Sequence, residues 1–358
     1  VNKCNIIPIF VPHLGCPHDC IFCNQRKITS FNDSLDKEQI CLTIEKYISY
    51  FKNKEIPIEI AFYGGSFTGL NENLMIEYLK IAKKYIDQKL VDSVRLSTRP
   101  DYIDEHILDI LLSYKVKTIE LGIQSLSSKV LDLNERGHDV DCVYKSSNLI
   151  KKYKINLGLQ MMTGLFGDDF NSCIHTALDI AYINPDFVRV YPTLIIKDTK
   201  LEQLYYSKKY IPMDIKDAIR LCKYIDIIFE HYNIDIIRLG LQSSDNISKD
   251  KDVVAGPYHP SFREFVQSDI YFDLFEYYIK KFKIKKYLHF ECSNEEISKI
   301  VGNKKSNINR MKEKFNLDIS FSIHNFEKNI LIINENLVNR KEFIDYSFMK
   351  ILRRFDET

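Results

Sequence analysis

Cys16-Pro17-His18-Asp19-Cys20-Ile21-Phe22-Cys23 is the stretch on which the reading of this 358-residue chain turns. The three thiols stand directly after an apolar run, Asn5–Val11, that reads as a β-strand. Thiolates suit soft metals, and three cysteines in one loop can each hold one iron of an iron–sulfur cluster. A cubane has a fourth iron, so three protein ligands leave one iron open to something else. A structural zinc site is the alternative reading, with His13 or His18 as the fourth ligand it would need.

The remaining cysteines, at 4, 41, 142, 173, 222 and 292, include no close pair, so no second cluster is expected. Nine cysteines, an odd number in a long chain, argue against a secreted disulfide framework and for a reducing compartment. With 45% hydrophobic residues, net charge +1 and few glycines or prolines, the composition is globular. No apolar run reaches the length of a membrane span and the start lacks a signal-peptide pattern, so a cytoplasmic protein with no membrane partner is expected. The neutrality is uneven. Between Lys280 and Lys314, eleven Lys and Arg face four Glu, which leaves the rest of the chain acidic by about six charges.

Outward from the cysteines, short β-like runs alternate with amphipathic ones. Strands are expected at Pro57–Tyr63, Ser93–Thr98, Lys117–Gln124, Ile155–Met162 and Asp186–Tyr191. Helices are expected at Asp36–Phe51, Leu74–Gln88, Asp104–Tyr114, Cys142–Tyr153 and Ser172–Ile183, where apolar residues recur at three and four. Helical crossovers imply a parallel sheet, and six such units suit an α/β fold of the partial (β/α) barrel type. A further unit, Ile215–Tyr232 then Ile234–Leu239, would extend it to about residue 245. A connecting segment, 246–284, carries Gly256-Pro257-Tyr258-His259-Pro260. The last part, 285–358, reads strand, helix, helix, strand, strand, helix, a small α+β domain.

Several motifs sit at the carboxyl ends of the expected strands: Gly64-Gly65-Ser66-Phe67, Ser97-Thr98-Arg99-Pro100, Glu120-Leu-Gly-Ile-Gln124-Ser125, and Asn134-Glu-Arg136-Gly-His138. Two adjacent glycines let backbone groups approach a ligand closely. With the cysteine trio after the first strand and Phe22 before its last member, these motifs resemble the radical S-adenosylmethionine (SAM) superfamily. The resemblance implies that Cys16, Cys20 and Cys23 hold a [4Fe–4S] cluster whose open iron binds S-adenosylmethionine. It places Gly64, Gly65 and Ser66 at the methionine amino group, Gln124 at the ribose and Arg136 at the carboxylate. Ser97 stands where many members have glutamate, and Gln160 near a position that is often acidic or histidine. An electron donor such as flavodoxin or ferredoxin is implied as well.

Arg189-Val-Tyr191-Pro-Thr, Arg99-Pro-Asp101 and Ile237-Arg238-Leu-Gly-Leu-Gln242 are similar to the radical SAM half of the Elongator catalytic subunit, a tRNA-modifying protein, over about residues 5–245. No counterpart of its acetyltransferase domain is recognised, so an acetyl-CoA route is not expected. The tail resembles a KH domain instead: Ile300-Val-Gly302-Asn-Lys304-Lys305-Ser306 matches the GxxG loop, with Lys305 in place of the second glycine. That resemblance implies RNA (tRNA or rRNA) as partner, held by Lys299, Gly302, Lys304, Lys305 and Arg310. The expected function is radical SAM modification of RNA. A small-molecule enzyme related to oxygen-independent coproporphyrinogen oxidase, or a non-catalytic RNA-binding protein with a structural metal site, are the alternatives.

Overall fold

A computed structural model describes residues 4–11, 16, 20–24, 36–53, 55–241, 252–327 and 330–355. His13, His18, Gln242 and most of the polar stretch 243–252 lie outside the described residues, as does Asn329. The chain divides into two units, one of residues 1–213 with 234–258, the other of residues 214–233 with 259–358.

In the first unit, strand and helix alternate as β1 (Asn5–Val11), α1 (Lys37–Tyr50), β2 (Ile58–Gly64), α2 (Glu72–Asp87), β3 (Ser93–Thr98), α3 (Glu105–Ser113) and β4 (Val116–Gln124). The order continues through α4 (Ser128–Leu133), α5 (Val140–Lys152), β5 (Asn156–Thr163), α6 (Phe170–Ile183), β6 (Phe187–Pro192), β7 (Ile195–Ile196) and α7 (Lys200–Tyr206). The strands β1 to β6 pair in chain order, and β8 (Asp235–Leu239) joins beyond β6, all in parallel. This seven-stranded sheet curls into a partial barrel. β7 pairs apart from it with β9 (Val253–Ala255), antiparallel.

The period of two in each strand explains the layering. Ile60, Phe62, Leu96, Ile119, Leu121, Leu157, Leu159, Val188 and Val190 are at most 1% exposed. Phe62 stacks on Phe67 and on Tyr78 of α2, so this set is the face under the helices. Each such side chain contributes about 1.5–3 kcal/mol by leaving water. Asp104, Asp139 and Asp169 cap α3, α5 and α6 by accepting backbone N–H bonds, worth roughly 1 kcal/mol each. With few glycines, the chain leaves several helices through left-handed Lys or Asn residues, among them Lys89, Lys115, Lys154 and Asn184.

The opposite, inner face carries charge. Arg95 of β3 pairs with Glu59 of β2 at 2.8 Å and with Glu120 of β4 at 3.2 Å. Arg189 of β6 reaches Glu120 at 2.7 Å, and both contact the Tyr63 hydroxyl. Burial, then the Glu120 carboxylate, push the Tyr63 phenol up to about 12.

In the second unit, α8 (Ile215–His231) packs with α9 (Phe262–Lys281) and α12 (Arg340–Phe355). The intervening elements are β10 (Tyr287–Ser293), α10 (Ile297–Val301), α11 (Ser306–Phe315), β11 (Asp318–His324), β12 (Leu331–Ile333) and β13 (Asn336–Leu337). The sheet order is β11-β10-β12-β13, with β10 and β11 parallel and β12 antiparallel to β10. The expected boundaries at 245 and 284 do not coincide with these units. β8 extends the barrel sheet as expected, but the helix before it does not group with the barrel. Leu221, Cys222, Ile225, Ile228 and Phe229 of α8 are fully buried. Lys223 pairs with Asp269 and Asp273, and Glu230 holds Arg340 through two bonds of 2.6 and 2.8 Å. These partners lie far along the chain, so the pattern of α8 alone did not reveal them. Among the described residues, no helix is long and apolar enough to cross a membrane.

Gly158 of β5 faces inward, where an added Cβ would run into the Phe187 ring and approach the Glu120 side chain. Gly158→Ala is expected to destabilise the fold by about 1–3 kcal/mol through overpacking. Thermal melting checks this, and adding Phe187→Leu to Gly158→Ala is expected to restore part of the loss.

Candidate metal and cofactor site

The carboxyl ends of β1 to β5 bring the sequence motifs together. The cysteine loop is held like a short strand: Ile21 donates to the Asn134 carbonyl at 3.3 Å, and Leu201 donates to the Ile21 carbonyl at 2.8 Å. Ile21 packs with Ile195, Leu201 and Tyr210, and Phe22 lies against that cluster. A backbone bond of 3.0 Å from Cys23 to the Cys20 carbonyl closes the turn between those two cysteines. Cys20 is buried, whereas Cys16 and Cys23 are partly accessible.

Arg136 is the residue that joins the loop to the sheet. Its Nη1 donates to Cys20 Sγ at 3.0 Å, and its Nη2 donates to the Gly122 carbonyl on β4. The guanidinium stands 6.0 Å from the Phe22 ring centre. Arg99 reinforces it, gripping Asp101 through two bonds of 2.9 Å and donating to the Arg136 carbonyl. Two guanidiniums therefore place positive charge beside the thiols. Next to them, burial and then Arg136 and Arg99 pull the His138 imidazole down to about 4, so it is neutral near pH 7.

Gly64, at the end of β2, has φ +108°. The Gly65 N–H donates to the Val11 carbonyl at 3.4 Å, and Ser66 is buried. Ser97 is half-buried at the end of β3. Gln124 adopts φ +67° and accepts a 3.4 Å bond from Gln160, so the two glutamines meet. Ser66 Oγ, Arg99 Nη1 and Arg136 Nε are buried without a hydrogen-bond partner among the described residues. Buried polar groups are nearly always satisfied, so three orphans around one thiol loop fit a polar ligand bound beside the cysteines. No group of three or more His, Cys, Asp or Glu converges on a single-ion site among the described residues. A cubane does not need that convergence, because each thiolate takes a different iron. Sequence reading missed Arg99, Asn134 and His138 as site residues. The signal was a run of polar residues on either side of Arg136, whose partners only folding supplies.

The C-terminal motif is placed separately. Gly302 has φ +78°, and Lys304 and Lys305 both adopt left-handed backbone at +50° and +60°. Their side chains are exposed and form no ion pair among the described residues; Lys299 is half-buried. Arg310 departs from the expectation. It pairs with Asp269 at 2.8 Å and lies 3.7 Å over the Phe272 ring, so its charge is already matched inside the unit. In the Gly256–Pro260 loop, Tyr258 packs on Leu194, Ile196 and Val253, while His259 accepts from Ser261 N–H at 3.0 Å. Both are used locally.

Residues 10–180 match the Radical SAM superfamily, and residues 185–271 match the Radical_SAM C-terminal domain. An uncharacterised protein of Methanocaldococcus jannaschii is 30% identical over 224 residues, covering 60% of this chain and 69% of that protein. The tRNA uridine(34) acetyltransferase of the same organism is 30% identical over 133 residues, 36% of this chain. Human Elongator complex protein 3 is 28% identical over 158 residues, 42% of this chain. The chain spans about a quarter of the length of these last two relatives (24% and 28%). Among solved structures, Methanocaldococcus infernus Elp3 with an N-terminal deletion superposes with a TM-score of 0.58 at 19% identity. That match covers 79% of this chain and 64% of the other.

The Asn134 side chain, fully buried, donates to the Val130 carbonyl at 2.7 Å and the Phe166 carbonyl at 2.9 Å. Asn134→Ala is expected to cost about 1–3 kcal/mol by leaving buried carbonyls unpaired. Because the Asn134 side chain fixes the turn whose backbone carbonyl receives the Ile21 N–H, Cys20 should react faster with a maleimide in this variant, which mass spectrometry of the labelled peptide checks.

Proposed function

We propose, from the premise that the chain belongs to the radical SAM superfamily, that this enzyme modifies RNA by abstracting a hydrogen atom from a nucleotide. The family's cofactors are a [4Fe–4S] cluster and S-adenosylmethionine, which together supply a 5′-deoxyadenosyl radical. Everything else falls to the chain's own side chains. Cys16, Cys20 and Cys23 would hold three irons, and Arg136 keeps Cys20 in place while setting positive charge against its sulfur. Gly64 and Gly65 present bare backbone to the methionine amino group, with Ser66 and Ser97 beside them. Gln124 and Gln160, already in contact, form a polar wall for the ribose. Two of the Arg136 nitrogens are engaged by Cys20 and Gly122, so a carboxylate would be met through the buried, unpaired Nε and the remaining N–H groups. A small electron carrier of the flavodoxin or ferredoxin kind would reduce the cluster.

The observation that carries the RNA assignment is the basic hairpin of the second unit. Two parallel strands, β10 and β11, are joined by two short helices whose connecting turn shows Lys304 and Lys305 to solvent. This succession of elements resembles a KH fold and supports that reading, with Lys299 nearby and Arg310 removed from the set by its pairing with Asp269. The likeness to tRNA uridine(34) acetyltransferase, over 36% of this chain, supports tRNA as the substrate class.

After anaerobic reconstitution, the chain is expected to cleave S-adenosylmethionine to 5′-deoxyadenosine, and Cys16/Cys20/Cys23→Ala to lose this activity. Finding bound zinc and no cleavage in the unmodified chain would remove the enzymatic reading. Separately, Lys304→Glu with Lys305→Glu is expected to weaken tRNA binding and to lower its salt dependence by roughly two phosphate contacts. Filter binding at several salt concentrations reads both, and affinity unchanged by the double variant would sink the assignment of the tail.

A further inference from the structure

The inner face of the barrel sheet is not uniform along its height. Toward the amino ends of the strands lies the closed network of Glu59, Arg95 and Glu120. One layer higher, the parallel register sets Gly122, Gln160, Arg189 and Arg238 side by side across β4, β5, β6 and β8. Register partners in a parallel pair project to the same face. Arg189 faces inward, as its bonds to Glu120 and Tyr63 show, and so Arg238 does too. A glutamine and two arginines make a layer of hydrogen-bond donors, with Gly122 lying close to the Gln124 and Arg136 side chains.

Among the described residues, charge on this face does not balance. Its buried and half-buried side chains include two carboxylates, Glu59 and Glu120, against three guanidiniums, Arg95, Arg189 and Arg238. Asp235 is exposed at the amino end of β8. Glu120 is shared by Arg95 and Arg189. Arg238 is half-buried and has no hydrogen bond or ion pair among the described residues. Arg189 is engaged on one side only: Nη2 donates to Glu120 and Tyr63, Nε lies 2.7 Å from Glu120 without a well-directed hydrogen bond, and Nη1 has just a 3.5 Å contact with the Tyr191 hydroxyl. A cation taken half out of water beside a second cation is costly unless an anion accompanies it.

The geometry points to an oxyanion subsite for the substrate, formed by Arg238, the free Nη1 edge of Arg189 and the Tyr191 hydroxyl. The ligand group is a phosphate or a carboxylate carried by the portion of the substrate that enters the barrel. Planar guanidiniums meet either with paired, charge-assisted bonds. For an RNA substrate, a phosphate flanking the target nucleotide is the natural candidate, and it would orient the nucleotide over the cofactor end of the sheet. The subsite deepens the proposed function and rests on it, since it takes the barrel interior as the place where substrate reacts.

The test uses the reconstituted chain with S-adenosylmethionine bound, titrated by calorimetry with uridine 5′-monophosphate, uridine, inorganic phosphate and acetate. Probes that carry an oxyanion should bind, uridine about tenfold or more weakly than its monophosphate, and Arg238→Gln should cost the monophosphate a similar factor. Arg238→Lys should keep part of the affinity. Tighter binding of inorganic phosphate than acetate assigns the phosphate, and the reverse assigns a carboxylate. A measurement without variants guards against misfolding: phosphate should protect Arg238 from phenylglyoxal, read by peptide mass spectrometry. Equal binding of uridine and its monophosphate overturns the subsite, as does a folded Arg238→Gln chain that binds phosphate like the parent. Full protection of Arg238 by S-adenosylmethionine alone also overturns it, because the cofactor's own carboxylate would then be the missing anion. A chain that fails to cleave S-adenosylmethionine defeats the underlying reading, whereas cleavage without oxyanion binding defeats the subsite alone.

Discussion

Glu120 is 3% exposed near the middle of β4, and a carboxylate at that depth persists only because guanidiniums reach it from the strands on either side. Arg95 comes from β3, Arg189 from β6 across β5, and Arg95 in turn takes up Glu59 from β2. The network ties four strands of the sheet to one register. A slip of one residue in β3 would turn Arg95 toward the helices and put Leu96 in its place, leaving Glu120 short of a partner. Such a network adds little net stability over an apolar core, yet removing one partner typically costs about 3–5 kcal/mol. It also gives the barrel a closed floor, so that polar chemistry is confined to the carboxyl ends of the strands.

Above that floor, the cysteine loop owes its position to backbone bonds on both sides, to Asn134 and to Leu201, and to the Arg136 side chain. A loop that must present three thiols to a cluster cannot rely on its own turns. Its attachment to residues more than a hundred positions away makes assembly of the site depend on the whole barrel. The orphaned polar atoms of Ser66, Arg99 and Arg136 mark where the protein leaves hydrogen-bonding capacity for something it binds. The second unit follows a different logic. Several of its basic residues are paired internally, as Lys223, Arg310, Lys314 and Arg340 show. Lys304 and Lys305, at the turn after Gly302, are exposed and form no ion pair among the described residues.

The barrel strands were legible to within about one residue, because β1 and β3 and their neighbours combine apolar runs with turn residues at a repeating interval. The order strand, helix, helix, strand, strand, helix over 285–358 was legible for a similar reason, apart from the two-residue β13. The division into units was not. α8 is amphipathic like the barrel helices, and nothing in its own sequence says that Glu230 meets Arg340 or that Lys223 meets Asp269. Arg310 read as a nucleic-acid contact from its place in a basic run, and its stacking on Phe272 could not be seen there. Charged residues in the middle of apolar strands, such as Glu59, Arg95 and Arg189, were a visible anomaly whose meaning depended on neighbouring strands.

Local order along the chain was enough to determine the thiol spacing, the succession of strands and helices and the motifs at strand ends, since each depends on residues near one another in sequence. Which thiol a guanidinium touches and which carboxylate two arginines share were decided by tertiary structure. Those are properties of charge at a few ångströms, and burial magnifies them. Only the folded sheet sets Arg189 beside Arg238 and shares Glu120 between Arg95 and Arg189.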